Sequence, residues 1–178
     1  LAIGMMIYMS RNTFKPGTGS ELKGKKLGIH AYGNVGRLAA DIAKGFGMEV
    51  YAFDPFVPAD KIKADGVTPL DSVEKLYTNC HFISLHIPAN EQTKKSIGYK
   101  LITQMPKGGC LINTARKEVI HEEELVKAME ERTDLKYCSD IAPDNTSEMT
   151  EKFQSRFFAA NQIVNFFATG DKTFQVNK

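Results

Sequence analysis

The sequence has 178 residues, of which 42% are hydrophobic and 25% charged, and a formal net charge of +2. These proportions are those of a globular domain, and they exclude collagen-like, low-complexity and intrinsically disordered chains. A net charge so close to zero also gives no electrostatic footprint for nucleic-acid binding.

Three cysteines, Cys80, Cys110 and Cys138, are scattered along the chain. Their spacing fits no metal or redox motif, and an odd number does not make a disulfide framework. Because two of them adjoin apolar runs, we predict buried thiols and a cytoplasmic location. No metal site is predicted.

The chain opens at Leu1 instead of a methionine, in an apolar run at residues 1–9 that reads as the middle of a helix. This run is too short to span a bilayer, and it lacks the basic flank and cleavage site of a signal peptide. We therefore expect no membrane segment, and we expect a piece of a longer protein. The Pro-, Gly- and Ser-containing stretch 15–20 is predicted to be a linker.

Apolar runs alternate with amphipathic stretches from Lys26 onward. The pattern predicts strands at 27–31, 48–53, 82–87, 110–113, 135–141 and 156–159, and helices at 1–11, 35–45, 72–78, 99–104, 121–132 and 161–168. On the helix at 35–45, the spacing places Val35, Leu38, Ala39, Ile42 and Phe46 on one face. Strands alternating with helices predict an α/β fold with a doubly wound parallel sheet. Ligand-binding residues should then follow the carboxyl ends of the strands.

The run A-Y-G-N-V-G at residues 31–36 follows the first of these strands and opens the first of these helices. It is a G-x-G-x-x-G dinucleotide motif with alanine in the first position. Gly33 would let the backbone approach a pyrophosphate, and Gly36 would let the helix pack on the strand. The amides of Asn34 and Val35 would open the helix, where its dipole favours an anion.

Asp54 ends the next strand, 21 residues after Gly33, which is the spacing of the ribose-binding acid in such sites. Its carboxylate would accept hydrogen bonds from ribose hydroxyls and repel a 2′-phosphate. Because residues 52–63 contain no arginine, we predict NAD as the cofactor in preference to NADP. The alternative is a Rossmann-like site for another ligand, such as S-adenosylmethionine. We expect Ala31 to adopt a negative φ, as its side chain requires.

Further motifs resemble those of the D-isomer-specific 2-hydroxyacid dehydrogenases. They are S-L-H-I-P at 84–88 with Thr93, P-K-G-G at 106–109, I-N-T-A-R at 112–116 and S-D-I at 139–141. Order and spacing match over most of residues 1–158, and the branch acting on 3-phosphoglycerate, in serine biosynthesis, is the most similar.

The resemblance implies a domain organisation and a reaction. Residues 21–160 would form the NAD-binding Rossmann domain, 1–20 the end of a linking helix with its linker, and 161–178 a crossing-back helix and tail. The substrate domain would be largely absent. The parent protein would be a homodimer that transfers a hydride between a small 2-hydroxy acid and NAD.

The resemblance also implies residue roles. Arg116 would hold the substrate carboxylate and polarise the ketone, Asp140 would lie near the nicotinamide carboxamide, and His86 would line the cofactor without transferring the proton. Other cofactor-binding positions would be Pro88, Thr93, Thr114, Ala115 and Arg116 itself. The alternatives are a surface arginine at a turn and a turn aspartate.

Several departures from the family pattern bear on catalysis. Lys117 stands where a glycine is usual, and Asp144 is the nearest match for the second catalytic residue. The loop that carries the proton donor, a histidine or a lysine, is absent around Ala159-Ala160. We therefore expect this chain to bind NAD with little turnover. The alternatives are a non-catalytic NAD sensor or co-repressor, and a dehydrogenase for glycerate, lactate or glyoxylate.

Overall fold

The computed structural model of the chain describes residues 1–140. Helices and strands alternate through this part of the chain. Their bounds are α1 (Ala2–Ser10), β1 (Lys26–His30), α2 (Asn34–Gly45), β2 (Glu49–Phe53), α3 (Ala59–Ala64), β3 (Thr68–Pro69), α4 (Val73–Asn79), β4 (Phe82–Leu85), α5 (Tyr99–Thr103), β5 (Cys110–Asn113), α6 (Glu122–Glu131) and β6 (Lys136–Ser139).

The strands within residues 1–140 form one parallel sheet in the order β3-β2-β1-β4-β5-β6. The order reverses between β1 and β4, so the predicted doubly wound Rossmann-type fold is confirmed. Neighbouring strands are paired so that the last residues of five strands form one row. That row reads Phe53, His30, Leu85, Asn113 and Ser139 across the sheet.

Two apolar layers cover the sheet, and alternate strand residues point to each. Leu27 and Ile29 of β1 belong to the layer that contains α1 and α2, whereas Ile83 and Leu85 of β4 belong to the layer that contains α4, α5 and α6. Burial on both faces explains why the central strands read as continuous apolar runs instead of alternating ones. Helix α1 packs into the same core as the sheet, and Lys136 Nζ on β6 donates to the carbonyl of Met9 at its end.

All three cysteines are buried, as predicted, and none forms a disulfide. Burial raises the pKa of Cys80 to about 12 and that of Cys138 to about 12, so both thiols stay protonated at neutral pH. Among the described residues, no helix has the length and apolar character needed to cross a membrane. Within that same part of the chain, no group of three or more histidine, cysteine or acidic side chains gathers as a metal site.

Most predicted elements agree with the structure to within one or two residues, and β5 agrees at both ends. The sequence reading missed α3 and β3. Helix α3 has only six residues, too few for an amphipathic period to stand out. Strand β3 has two residues and ends in Pro69, a residue that argues against a strand. The strand predicted at 156–159 and the helix predicted at 161–168 lie outside the described residues.

Of the five residues predicted to share one face of α2, only Ala39 is buried. Val35 is 64% exposed, Leu38 67%, Ile42 53% and Phe46 43%. We call these four residues the α2 stripe. The sheet is contacted instead by small residues, which let the helix approach it closely: Gly36, Ala39, Ala40 and Ala43. A chain that folded alone would have little reason to expose four large apolar side chains in a line.

Candidate cofactor site

The turn between β1 and α2 presents backbone amides at the carboxyl edge of the sheet. Helix α2 begins after Gly33, which caps it without a side-chain hydrogen bond, and its first turn contains no acidic residue. Gly33, Asn34 and Val35 are exposed. Amides at a helix start that lack a capping side chain favour an anion, since the helix dipole adds to their own partial charge.

Ala31 adopts φ +77° in this turn, so the expectation of a negative φ is wrong. The chain must leave β1 and fold back over the start of α2, and this path requires the left-handed region that glycine favours. Gly36 is required for a different reason, which is lack of space. A Cβ at this position would lie 2.4 Å from the carbonyl oxygen of Ala31. Alanine in this conformation costs about 1 kcal/mol or more.

Asp54, directly after β2, receives backbone hydrogen bonds on both carboxylate oxygens. The Tyr32 amide donates to Oδ2 at 2.7 Å, and the Phe56 amide donates to Oδ1 at 2.8 Å. Each oxygen retains acceptor capacity, so the half-buried carboxylate is fixed and able to accept from a pair of hydroxyls. Phe56 is 86% exposed beside it. No role for Phe56 was predicted from the sequence, although its position two residues after a strand-end aspartate placed it beside the predicted ribose acid.

His86 follows β4, and its Nε2 lies 2.9 Å from Ser84 Oγ. Burial lowers the pKa of His86 to about 4, so its imidazole is neutral at pH 7. His30, at the end of β1, is buried as expected for a core histidine, with Nδ1 3.3 Å from the hydroxyl of Tyr77. Burial lowers its pKa to about 4 as well. Both histidines are therefore neutral at pH 7, and neither is in the imidazolium form that would act as a general acid.

The loop that follows His86 is closed by Thr93. The hydroxyl of Thr93 donates to the Pro88 carbonyl at 2.5 Å and accepts from the Asn90 amide at 2.9 Å. Asn90 Oδ1 accepts from the Thr93 amide in turn. The two predicted cofactor positions Pro88 and Thr93 are thus joined by a hydrogen bond in the loop that follows β4.

Asn113 organises the turn that carries Thr114, Ala115 and Arg116. Its side chain is fully buried; Oδ1 accepts from the Ala115 amide at 3.0 Å, and Nδ2 donates to the Arg116 carbonyl at 3.1 Å and to the Tyr137 hydroxyl at 3.3 Å. The Arg116 side chain is exposed. No role for Asn113 was drawn from the sequence, although asparagine at a strand end is typical of such turns.

Asp140 follows β6 and is half-buried. Its Oδ1 is buried, and no residue in the described part of the chain donates a hydrogen bond to it. A buried carboxylate oxygen normally has a donor, so this atom marks a place for a donor from outside the described residues. Asp144, the predicted second catalytic residue, lies outside the described residues, as does the Ala159-Ala160 junction.

The candidate residues meet along one line. Asp54, Ala31, His86, Thr114 and Asp140 each directly follow the row of paired strand ends, in that spatial order. Strands in a sheet lie about 4.8 Å apart, so the two aspartates stand roughly 19 Å apart at opposite ends of an elongated site. The start of α2 lies above the reversal in strand order, where ligands bind in open α/β sheets.

Residues 5–164 match the family model described as D-isomer specific 2-hydroxyacid dehydrogenase, NAD binding domain. The chain belongs to this family. The predicted cofactor, NAD, is thereby confirmed, and the alternative of a site for S-adenosylmethionine is set aside.

Individual proteins similar to this chain support its membership of the family. D-3-phosphoglycerate dehydrogenase of Methanocaldococcus jannaschii is 33% identical over 144 residues, which cover 74% of this chain and 28% of that protein. Hydroxypyruvate reductase of Thermotoga maritima is 35% identical over 138 residues, 70% of this chain and 44% of that protein. The crystal structure of NAD+-bound 3-phosphoglycerate dehydrogenase of Entamoeba histolytica is 40% identical, with a TM-score of 0.78, over 99% of this chain and 63% of that chain. This chain therefore spans only part of the length of the proteins that it matches.

The residues of the site fit NAD. The fixed carboxylate of Asp54 has acceptor capacity for a ribose diol, and its charge opposes a 2′-phosphate. The uncapped amides at Gly33, Asn34 and Val35 suit a pyrophosphate. Asp140 Oδ1, at the other end of the line, suits an amide donor such as a carboxamide.

Ala31→Gly is expected to increase the free energy of unfolding. Glycine relieves the left-handed strain of about 1–2 kcal/mol, and its greater unfolded-state entropy takes back about 0.5–1 kcal/mol, so a net gain of roughly 0.5–1 kcal/mol is predicted. Urea denaturation at fixed pH measures it. Gly45→Ala is a matched control at the end of α2, where a Cβ meets nothing within 4 Å. A loss of stability in Ala31→Gly would contradict the strain assigned to this turn.

Proposed function

We propose that the protein containing this domain is an NAD-dependent dehydrogenase that oxidises 3-phosphoglycerate, or a closely related D-2-hydroxy acid, in the cytoplasm. The observation that supports this most directly is the line of strand-end residues that begins at Asp54, passes the start of α2 and ends at Asp140, with Arg116 beside it. The buried, protonated thiols suit a reducing compartment.

Arg116 has the chemistry that a 2-hydroxy acid requires. Its guanidinium is planar and always charged, so it can pair with a carboxylate through two hydrogen bonds. Once the hydroxyl is oxidised, the same donors can polarise the ketone oxygen and stabilise negative charge that develops there. The bonds from Asn113 to Ala115 and Arg116 hold this turn in place, which lowers the entropy cost of aligning the substrate.

The division of labour in the proposed reaction follows from these residues. NAD supplies the hydride acceptor, the C4 atom of its nicotinamide. Asp140 would orient the carboxamide, and Arg116 would hold the substrate's carboxylate. Burial disfavours the charged form of His86 and makes it a weak proton acceptor, so the substrate's hydroxyl proton would pass to another base, which the resemblance places near Ala159-Ala160.

The choice of 3-phosphoglycerate draws on two features. The proteins similar to this chain include phosphoglycerate dehydrogenases from two organisms. Lys117 places a second positive charge one residue after Arg116, at the start of the single helical turn Lys117–Val119. Two adjacent cations favour a substrate that carries a phosphate in addition to its carboxylate.

The full-length protein and its Arg116→Gln variant provide the test. We expect NAD reduction with 3-phosphoglycerate at a higher kcat/KM than with glycerate or lactate, and a loss of about 100-fold or more in kcat/KM in the variant. Because Arg116 is also among the predicted cofactor-binding positions, the dissociation constant of NAD is expected to rise, but by much less than kcat/KM falls. NAD binding without reduction by any 2-hydroxy acid would favour a non-catalytic NAD sensor instead. Faster turnover of glycerate, lactate or glyoxylate would transfer the assignment to that substrate.

We also propose that the protein is a homodimer that buries the α2 stripe against a second copy. The stripe, Val35, Leu38, Ile42 and Phe46, runs along one line of a single helix and contains no charge. Such a line can pack against its own two-fold copy, because each helix offers the other the same apolar ridge. The resemblance to a dimeric family supports a homodimer, although it implies the linking helix at residues 1–12 and its surroundings as the contact.

Leu38→Lys should weaken this dimer, since it places a charge in the centre of the stripe. Analytical ultracentrifugation of the full-length protein is expected to show at least a tenfold rise in the dimer dissociation constant. Glu74→Lys, on the exposed side of α4, is the control and should leave the dimer unchanged. A protein that is monomeric before substitution, or a Leu38→Lys dimer of unaltered strength, would contradict the proposed interface.

A further inference from the structure

Asp65, one residue beyond α3, is bonded to three separate residues of the turn and helix that would hold NAD. Its Oδ2 accepts from the Tyr32 hydroxyl at 3.2 Å and from Arg37 Nε at 3.0 Å, and its Oδ1 accepts from Arg37 Nη2 at 3.2 Å. Its backbone carbonyl accepts from Lys44 Nζ at 2.6 Å.

Tyr32 connects this cluster to the cofactor site. It lies between Ala31 and Gly33, and its side chain is buried although both neighbouring residues have some exposure. Its backbone amide donates to Asp54, the proposed ribose acid, while its hydroxyl donates to Asp65. One residue is therefore held at both ends by carboxylates that come from different elements.

The turn needs such restraint. Ala31 occupies a left-handed conformation that alanine disfavours, and strained backbone persists only where its surroundings hold it. The β1–α2 turn has no side-chain cap at the start of α2. Fixing the ring of Tyr32 consequently limits the rotation of the peptide units on either side, which include the amides that face the anion.

The charges of the cluster suit a permanent restraint. Arg37 lowers the pKa of Asp65, so the carboxylate remains ionised at neutral pH. Burial and the neighbouring Asp65 raise the pKa of Tyr32 to about 12, so the phenol remains a donor. Donor and acceptor thus keep their roles throughout the neutral range.

We propose that Asp65 is a positioning residue for the cofactor: through the Tyr32 hydroxyl it fixes the turn at 31–33, so that the amides at the start of α2 are held ready for the pyrophosphate. The proposal rests on the NAD site described above. It adds a contact between α3 and the glycine-rich turn to the parts of the fold that determine NAD affinity.

Tyr32→Phe removes only the hydroxyl and keeps the buried ring. In the full-length protein, we expect the dissociation constant of NAD to rise about fivefold, the range of one hydrogen bond. Adenosine, which has no pyrophosphate, should bind with unchanged affinity. Amide hydrogen exchange at residues 31–34 should accelerate while the melting temperature stays within about 2 °C, an outcome that a purely structural role of the hydroxyl would not give.

A double-mutant cycle tests whether Tyr32 and Asp65 act as a pair. Asp65→Ala should also weaken NAD binding, and adding Tyr32→Phe to it should weaken binding no further, because alanine has no side-chain acceptor and the shared contact is already lost. Asp60→Ala is the matched control: Asp60 is an exposed acid on α3 that pairs with Lys63. It should change the dissociation constant less than twofold.

The proposal is overturned if Tyr32→Phe binds NAD within twofold of the unaltered protein, or if the two substitutions multiply in the double variant. Equal losses for NAD and adenosine would also overturn it, since they would place the effect outside the pyrophosphate turn. These outcomes are separate from those of the proposed function. A protein that binds NAD but reduces it with no 2-hydroxy acid still permits the whole cycle to be measured.

Discussion

Parallel pairing of the strands in one register is the constraint on which the site depends. Since His30 pairs with both Phe53 and Leu85, and the pairing continues through Asn113 to Ser139, the next residue of each strand emerges at the same edge. Residues far apart in the chain thus form one line with an acid at each end. A slip of a single residue in one strand would turn its strand-end side chain to the opposite face.

The centre of that line is a turn that the local sequence alone would not hold. Ala31 is in a conformation suited to glycine, and Gly36 leaves space for its carbonyl. The turn is held by contacts from elsewhere: the Asp54 carboxylate accepts from the Tyr32 amide, and Asp65 accepts from the Tyr32 hydroxyl. Strain at a binding turn, offset by contacts from neighbouring elements, is a common way to keep a site ready for its ligand.

Much of this could be predicted from the sequence, because apolar periodicity and strand-end chemistry are local signals. They located β5 at both ends and the start of α2 to within one residue, and they led to the prediction of Asp54 as the ribose acid. The orientation of α2 was missed, since the α2 stripe and the small residues of Gly36, Ala39, Ala40 and Ala43 both follow a helical period, and only packing against the sheet separates them. The bond between Tyr32 and Asp65 joins residues 33 positions apart, which no spacing rule reveals. The left-handed φ of Ala31 likewise follows from how β1 and α2 must meet.

The most direct measurement is the ratio of the NADP and NAD dissociation constants for the full-length protein and its Asp54→Ala variant. With the carboxylate held as described, the unaltered protein should prefer NAD by at least about tenfold, since hydrogen bonds to a charged group contribute about 1.5–3 kcal/mol. The variant should lose about tenfold in NAD affinity without losing NADP affinity, whereas Asp60→Ala, an exposed acid on α3, should change neither. Unaltered NAD affinity in Asp54→Ala would contradict the assignment of this line of strand-end residues as the NAD site.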